Sequence, residues 1–300
     1  MARDRRDAEE PVGGDLRAGD RVERYRIEAR LGDGATGVVY RAAREPDGLL
    51  VALKVLRAEL GADETYRRRF AHEARAAAEV RHRHLVRVLE AGEAGGRPFL
   101  ASEYVAGQTL AERLDAEGGL PLDGILRLAS ELGAGLDALH GAGLVHRDVK
   151  PSNVMLDRDG AALLGDFGLA KGRAYTVLTR PGAVVGTLDY LAPEVIGGAA
   201  AAPPSDLYAL GCVIFECMAG VPPFADRDGF QVGMAHLRDE PPDPGADRAD
   251  LPAMLGWAVR RALAKDPNRR PHSAGAFAHM LRMAANPEGD QPGSGAPPPG

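Results

Sequence analysis

Apolar and polar positions divide the chain into two unlike parts. Up to about Ser102 the apolar residues fall in short β-branched and aromatic runs, which predict strands. One strand is expected over Arg24 to Leu31, followed by a glycine loop. The runs GVVYRAA and LLVALKVL come next, joined by Glu45-Pro46-Asp47-Gly48. A Pro-Asp-Gly turn between two apolar runs predicts a hairpin. A helix follows at about 63 to 81, with Tyr66, Phe70, Ala77 and Val80 as its inward stripe, and two further strands end near Ser102. From about residue 107 the period turns helical. Ile125, Leu128, Leu132, Leu136 and Leu139 form a helical stripe that Gly141 can cap. Ser205 is an expected N-cap for the apolar helix that ends near Ala219, and Ser273 for the helix that ends near Ala285. Residues 1–20 are charged, Gly-rich and aperiodic, and read as a flexible leader; from 286 the Pro/Gly/Ser-rich stretch reads as a linker or tail. No internal repeat is visible.

Composition narrows the classes. The 300 residues are 45% hydrophobic and 27% charged, enough for a sizeable core. With 37 basic against 43 acidic residues, the net charge of −6 argues against broad coating of nucleic acid. The two cysteines, Cys212 and Cys217, lie in one apolar stretch and read as buried packing rather than a disulfide or zinc pair. His82 and His84 have no third ligand nearby in sequence. No apolar run approaches the ~18 residues of a membrane span, and the N-terminus carries no signal-like apolar region, so a cytoplasmic chain is expected.

Four sites carry candidate chemistry. Gly32-Asp33-Gly34-Ala35-Thr36-Gly37 lets backbone N–H groups approach phosphate oxygens. Such spacing also occurs in dinucleotide-binding turns, but those open a helix, whereas this one opens Val38-Val39-Tyr40 and a hairpin. Lys54 lies inside the apolar strand Val51 to Leu56, where a cation needs a partner. Glu73 lies on the inward stripe of the following helix, so each explains the other. The segment from Val145 to Asn153 gathers a His, a carboxylate, two cations and an amide. Asp148 can take a proton from a hydroxyl nucleophile, Lys150 can neutralise charge on a transferred phosphoryl group, and Asn153 can offer an oxygen to a hard cation. Asp166-Phe167-Gly168, after the apolar Ala161 to Leu164, places another carboxylate at a strand end.

The ordered set GDGATGVV, VALK, a helical Glu, HRDVKPSN, DFG and APE resembles the eukaryotic-type (Hanks-type) Ser/Thr protein kinases, bacterial representatives above all, from about Tyr25 to Arg282. The resemblance implies an α+β bilobal fold over 21–285. An N-lobe (21–104) would carry a five-stranded antiparallel sheet and one main helix, and a C-lobe (105–285) would be mainly helical. It implies an enzyme, a non-specific protein Ser/Thr kinase that uses ATP with Mg²⁺ or Mn²⁺. Gly32, Gly34 and Gly37 then resemble the phosphate-covering loop, with Leu31 beside it. Val39 and Ala52 resemble the adenine sandwich, completed by Met155, and Glu103 to Val105 the hinge. Lys54 would hold the α- and β-phosphates and pair with Glu73. Asp148 resembles the catalytic base, Lys150 the γ-phosphate contact, and Asn153 and Asp166 the metal ligands. Glu194 is expected to pair with Arg270, and Asp206 to brace the catalytic-loop backbone.

Two details point to Ser/Thr acceptors: Lys150 two residues after Asp148, and Thr187, which resembles the threonine closing the acceptor site. Arg147 before the catalytic Asp implies a phosphate receiver, with Thr176 and Thr179 the expected autophosphorylation sites and Lys171 assisting. Ser102 at the gatekeeper position implies an open back pocket. Gly165 before Asp166, where a β-branched residue is more usual, is expected to loosen the loop hinge. Protein substrates and a homodimer through the N-lobe are the expected partners. A pseudokinase scaffold would lack Lys54, Asp148 or Asp166, and a small-molecule phosphotransferase would usually lack the Lys150 pattern and the APE element.

Overall fold

The computed structural model describes residues 16–34, 36–168 and 188–286. Strands β1 (Arg21–Val22), β2 (Tyr25–Gly34), β3 (Gly37–Arg44), β4 (Leu50–Leu56), β5 (Val88–Ala94) and β6 (Arg97–Glu103) form one antiparallel sheet in the order β1-β2-β3-β4-β6-β5. This corrects the expected five strands to six. The extra strand is only two residues long, too short to show alternation. Glu23 at φ 50° turns the chain back so that Val22 pairs with Tyr25. The end of the expected leader joins the same sheet: the Gly19 N–H donates to the Ile27 carbonyl at 2.9 Å.

One face of the sheet closes a small core of its own around Tyr25, Ile27, Tyr40, Leu53 and Phe99, all nearly inaccessible to solvent. The short helix α1 (Ala58–Gly61) precedes α2 (Glu64–Glu79), which begins where Asp63 accepts from the N–H groups of Thr65 and Tyr66. Its buried stripe is Tyr66, Phe70, Ala74 and Ala77. Val80, expected on that stripe, instead terminates the helix in an extended conformation.

A three-stranded sheet of β7 (Gly107–Thr109), β8 (Val154–Asp157) and β9 (Ala162–Leu164) floors the junction between the lobes. Helix α3 (Leu110–Glu117) starts with a reciprocal cap: the Thr109 hydroxyl accepts from the Glu112 N–H, and the Glu112 carboxylate accepts from the Thr109 N–H. The C-lobe is built around α4 (Leu122–Gly141) and α6 (Pro203–Ala219). Helix α6 is buried nearly all round, as a helix at the centre of a lobe must be. Helices α5 (Pro193–Ile196), α7 (Gly229–Arg238), α8 (Ala253–Ala262) and α9 (Ala274–Ala285) complete the lobe.

Two expected caps move. Gly141 is the last helical residue of α4, and Gly143 takes the left-handed conformation instead. Ser205 lies inside α6, which starts at Pro203; its hydroxyl accepts from the Ala202 N–H and donates to Glu194. Ser273 does cap α9, accepting from the Ala276 N–H. Cys212 and Cys217 are buried free thiols, and burial pushes both pKa values up. No helix among the described residues is long and apolar enough to cross a membrane.

Candidate active site

The glycine loop is a strand–turn–strand lid: β2 and β3 pair from Tyr25 opposite Arg44 to Gly34 opposite Gly37. No helix opens after Gly37, which removes the dinucleotide-turn reading. Gly37 must lack a side chain, since a Cβ there would lie 2.4 Å from the Val55 carbonyl oxygen. Leu31 and Gly32 are exposed at the edge of this lid.

Register then sorts the sheet by face. Val39 stands opposite Lys54, and Ala52 opposite Ser102. Cross-strand partners share a face, so Val39, Ala52, Lys54 and Ser102 all point into the cleft. Val38, Tyr40, Val51, Leu53 and Val55 fill the upper core on the other face. Below, β8 alternates: Val154 and Leu156 are buried in the C-lobe while Met155 is partly exposed on the opposite face. Glu103 ends β6, and Val105 follows in the crossing segment between the lobes.

The loop from His146 to Asn153 hangs from one buried carboxylate. Asp206, in α6, accepts from the His146 N–H at 2.7 Å, the Arg147 N–H at 2.8 Å and His140 Nε2 at 2.8 Å. These bonds hold Arg147 in the left-handed region at φ 67°, a conformation that a residue other than glycine keeps only when its surroundings impose it. Next along the chain, Asp148 Oδ2 accepts from Asn153 Nδ2 at 3.0 Å and lies 3.2 Å from Lys150 Nζ. Asn153 Nδ2 also donates to the Asp148 carbonyl at 2.7 Å.

The His146 ring is fully buried, and burial holds its pKa below the ordinary value, so it is neutral. Its Nε2 lies 3.1 Å from the Gly165 carbonyl, and its Nδ1 accepts from the Asp148 N–H at 3.3 Å. The catalytic loop is thereby tied to the segment carrying Asp166. Phe167 packs against His146 at 5.5 Å between ring centroids. Gly168 brings its N–H to the His146 carbonyl at 2.9 Å, and a Cβ there would lie 2.7 Å from that oxygen. Gly165 is closely packed. A Cβ at this position would meet a Val86 methyl at 2.9 Å, and its N–H donates to the Asn153 carbonyl. Close packing against Val86 leaves little room for a side chain here.

Lys54 and Glu73 do not pair with each other. Lys54 Nζ binds Asp166 Oδ1 at 2.5 Å, and Glu73 Oε2 binds Arg147 Nη1 at 2.7 Å. Both charges do have partners, as their burial requires, but each partner lies elsewhere. Arg147, expected to face a phosphate, faces this carboxylate. His84, expected as packing or surface, is buried, with Nδ1 2.9 Å from the Ala162 carbonyl. Among the described residues no group of three or more His, Cys, Asp or Glu side chains is arranged to hold a metal ion.

Beyond the loop, Arg270 and Glu194 form a two-pronged pair, Nη1–Oε1 2.9 Å and Nη2–Oε2 2.7 Å. The Arg270 side chain is fully buried; it also donates to the carbonyls of Ala264 and Pro204 and lies over the Tyr208 ring. Burial alone would raise the Glu194 pKa, but the hydrogen bonds from Arg270 and Ser205 hold it below the ordinary carboxylate value. Lys171, Thr176, Thr179 and Thr187 lie outside the described residues.

Residues that the sequence reading missed are those that act through others. His140 falls just past the apolar stripe of α4, and only its contact with Asp206 marks it. Glu216 accepts from the Tyr190 hydroxyl at 2.6 Å; burial and the nearby carboxylates of Asp189 and Asp115 push its pKa up to about 7. A polar residue interrupting the apolar run of α6 was its one visible signal.

The comparisons agree with this geometry. The protein kinase domain family matches residues 25–281. The chain is 40% identical over 272 residues to the serine/threonine-protein kinase pkn3 of Myxococcus xanthus, covering 86% of this chain and 49% of that one. It is 40% identical over 277 residues to PknJ of Mycobacterium tuberculosis, covering 90% and 47%. The chain thus spans about half the length of these curated relatives. The crystal structure of the M. tuberculosis PknI kinase domain superposes with a TM-score of 0.74 at 33% identity, covering 91% of this chain and all of that one. A lid of glycines over a lysine, a His-Arg-Asp loop hung from a helical aspartate, and an Arg-locked Ala-Pro-Glu helix therefore have their explanation in descent: the chain belongs to the protein kinase domain family, among the bacterial Ser/Thr kinases of Hanks type.

Proposed function

We propose that the chain transfers the γ-phosphate of ATP to Ser and Thr hydroxyls of proteins. One observation carries the reading: Asp148, Lys150 and Asn153 converge within hydrogen-bonding reach, and the Gly165–Asn153 backbone bond sets Asp166 beside them. Asp148 accepts the proton of the attacking hydroxyl. Lys150 offsets charge on the transferred phosphoryl group, and Lys54 binds the α- and β-phosphates. Gly32, Gly34 and Gly37 cover the phosphates with backbone N–H groups. Leu31, Val39, Ala52 and Met155 sandwich the adenine, and the backbone of Glu103 and Val105 hydrogen-bonds its edge. Asn153 and Asp166 present an amide oxygen and a carboxylate, a hard donor set that suits Mg²⁺ or Mn²⁺. A cation held there would supply positive charge to offset that of the nucleotide phosphates. Asp206 and the Glu194–Arg270 pair position the loop and the acceptor platform. Thr187 closes the acceptor site, and Thr176 and Thr179 are the autophosphorylation sites.

Two further assignments complete the proposal. The reaction is cytoplasmic, in keeping with two free buried thiols and no disulfide among the described residues. A second copy of the chain is the partner at the N-lobe, where Leu49 and Leu50 are exposed together.

The test is transfer of label from γ-labelled ATP with Mg²⁺ to a generic basic protein, with phosphosites mapped by mass spectrometry. Label on Ser and Thr is expected, and Asp148→Asn reduces it by about 10²- to 10⁴-fold. Nucleotide binding with no label, even after treatment with an active kinase, would overturn the proposal.

A further inference from the structure

A cavity of about 220 Å³ lies within the C-lobe and shares no lining residue with the cleft between the lobes. His140 reaches it from the end of α4, Pro204 and Leu207 from the start of α6, and Pro271 and His272 from the segment ahead of α9. Its walls are tied to one another. Asp137 Oδ1 accepts from the Ala274 N–H at 2.9 Å, and Oδ2 accepts from the Ser273 hydroxyl at 3.1 Å and the Gly275 N–H at 3.0 Å. Arg270 donates to the Pro204 carbonyl at 2.7 Å and so joins the segment before α9 to α6. The space is therefore formed before anything enters it.

Most of the polar groups around it are already spent. Asp137 holds its three donors, and the Ser273 hydroxyl donates to Asp137 and accepts from the Ala276 N–H. Two imidazoles remain. His272 is exposed at the mouth. The His140 side chain is only 13% exposed; its Nε2 lies 2.8 Å from Asp206 Oδ2, and its Nδ1 has no hydrogen-bond partner among the described residues. A carboxylate accepts, so Nε2 is the donor in that contact and carries the ring proton. A singly protonated ring then keeps a lone pair on Nδ1, and that atom asks for a donor. Volume sets the rest of the ligand. An apolar cavity of about 150 Å³ holds benzene, so this one takes a single ring with a short substituent.

We infer that this cavity is a binding site for a small phenol, whose ring lies against the Pro and Leu walls and whose hydroxyl donates to His140 Nδ1. The occupied site is felt at the loop that begins at His146. Hydrogen bonds in a chain polarise one another: a donor on Nδ1 strengthens the bond from Nε2 to Asp206 Oδ2, the same oxygen that accepts from the His146 N–H at 2.7 Å. The site is independent of phosphoryl transfer.

The full chain, isotope-labelled at its histidine nitrogens, reports the His140 ring and the His146 amide together by nuclear magnetic resonance. It is titrated at mildly alkaline pH with phenol and with anisole, the methyl ether that lacks the donor, while calorimetry gives the affinities. Phenol is expected to saturate with a Kd of about 1 mM or below, and to bind about five-fold tighter than anisole, the scale of one hydrogen bond. The Nδ1 resonance of His140 starts at the unprotonated position and moves toward the protonated one with phenol, the His146 amide shifts along the same curve, and anisole leaves Nδ1 in place. In His140→Phe phenol loses its advantage over anisole. Should that variant fail to fold, the wild-type titrations decide. Equal affinities for the two ligands, no saturation, or a His140 Nδ1 that phenol does not move would overturn the site. A His146 amide that stays still while Nδ1 moves would overturn its link to the loop.

Discussion

Replacing Arg270 by Met tests the energetics of the buried Glu194–Arg270 pair. The substitution keeps an apolar stem of similar length and removes a guanidinium that is fully buried and bonded to both oxygens of Glu194. It leaves Glu194 half-buried with only the Ser205 hydroxyl, and leaves the carbonyls of Ala264 and Pro204 without their donor. Breaking a buried pair from one side costs about 3–5 kcal/mol, because the survivor keeps its desolvation penalty without the attraction that offset it. For a domain of this size each kcal/mol moves the melting point by about 2–4 °C. A drop of roughly 6–20 °C is therefore expected at pH 7 by circular dichroism. The sign with pH is also set. Glu194 is held below its ordinary value of 4.5, so the pair stabilises the fold above that pH and the contribution is lost as pH falls through the lowered value. The variant's deficit should thus be greatest at neutral pH and shrink below about pH 4.5, as Glu194 becomes protonated in both folded and unfolded chains. A deficit under about 1 kcal/mol at pH 7, or one that grows in acid, would refute the reasoning. Adding Glu194→Gln to the variant should recover part of the loss.

Two other predictions follow the same logic. Asp206→Asn exchanges one acceptor oxygen for an NH₂ facing the N–H of either His146 or Arg147, so the catalytic loop shifts; label transfer should fall about 10²-fold with little change in ADP affinity, and loss of ADP binding instead would contradict it. Glu216→Gln keeps the acceptor for Tyr190 and removes a carboxylate whose pKa is pushed up to about 7. A raised carboxylate costs the fold stability as pH climbs from about 4.5 to 7. The variant should therefore be more stable than wild type by about 3 kcal/mol at pH 8 and by nothing below pH 4.5, as melting curves at the two pH values would show.

Local order was legible in the residues. The Pro-Asp-Gly hairpin, the helix that Asp63 caps, the α4 stripe and the Ser273 cap all depend on groups a few positions apart, where spacing along the chain is spacing in space. The motif order was legible too, because a glycine lid, a cleft lysine and a His-Arg-Asp loop constrain residue types at each position. What failed locally had no periodic signal: a two-residue strand, and a serine that is the third residue of its helix rather than its cap.

Charge partnering was decided by the tertiary structure alone. The sequence shows that Lys54 and Glu73 lie in apolar surroundings and each needs an opposite charge. It does not say which one, because Asp166 is 112 positions from Lys54 and Arg147 is 74 positions from Glu73. An ion pair depends on an inverse distance in space, and that distance is set by how the two lobes meet and by how Asp206 hangs the catalytic loop. The residue types required at the site follow from its chemistry, while the pairing of its charges is a property of the assembled fold.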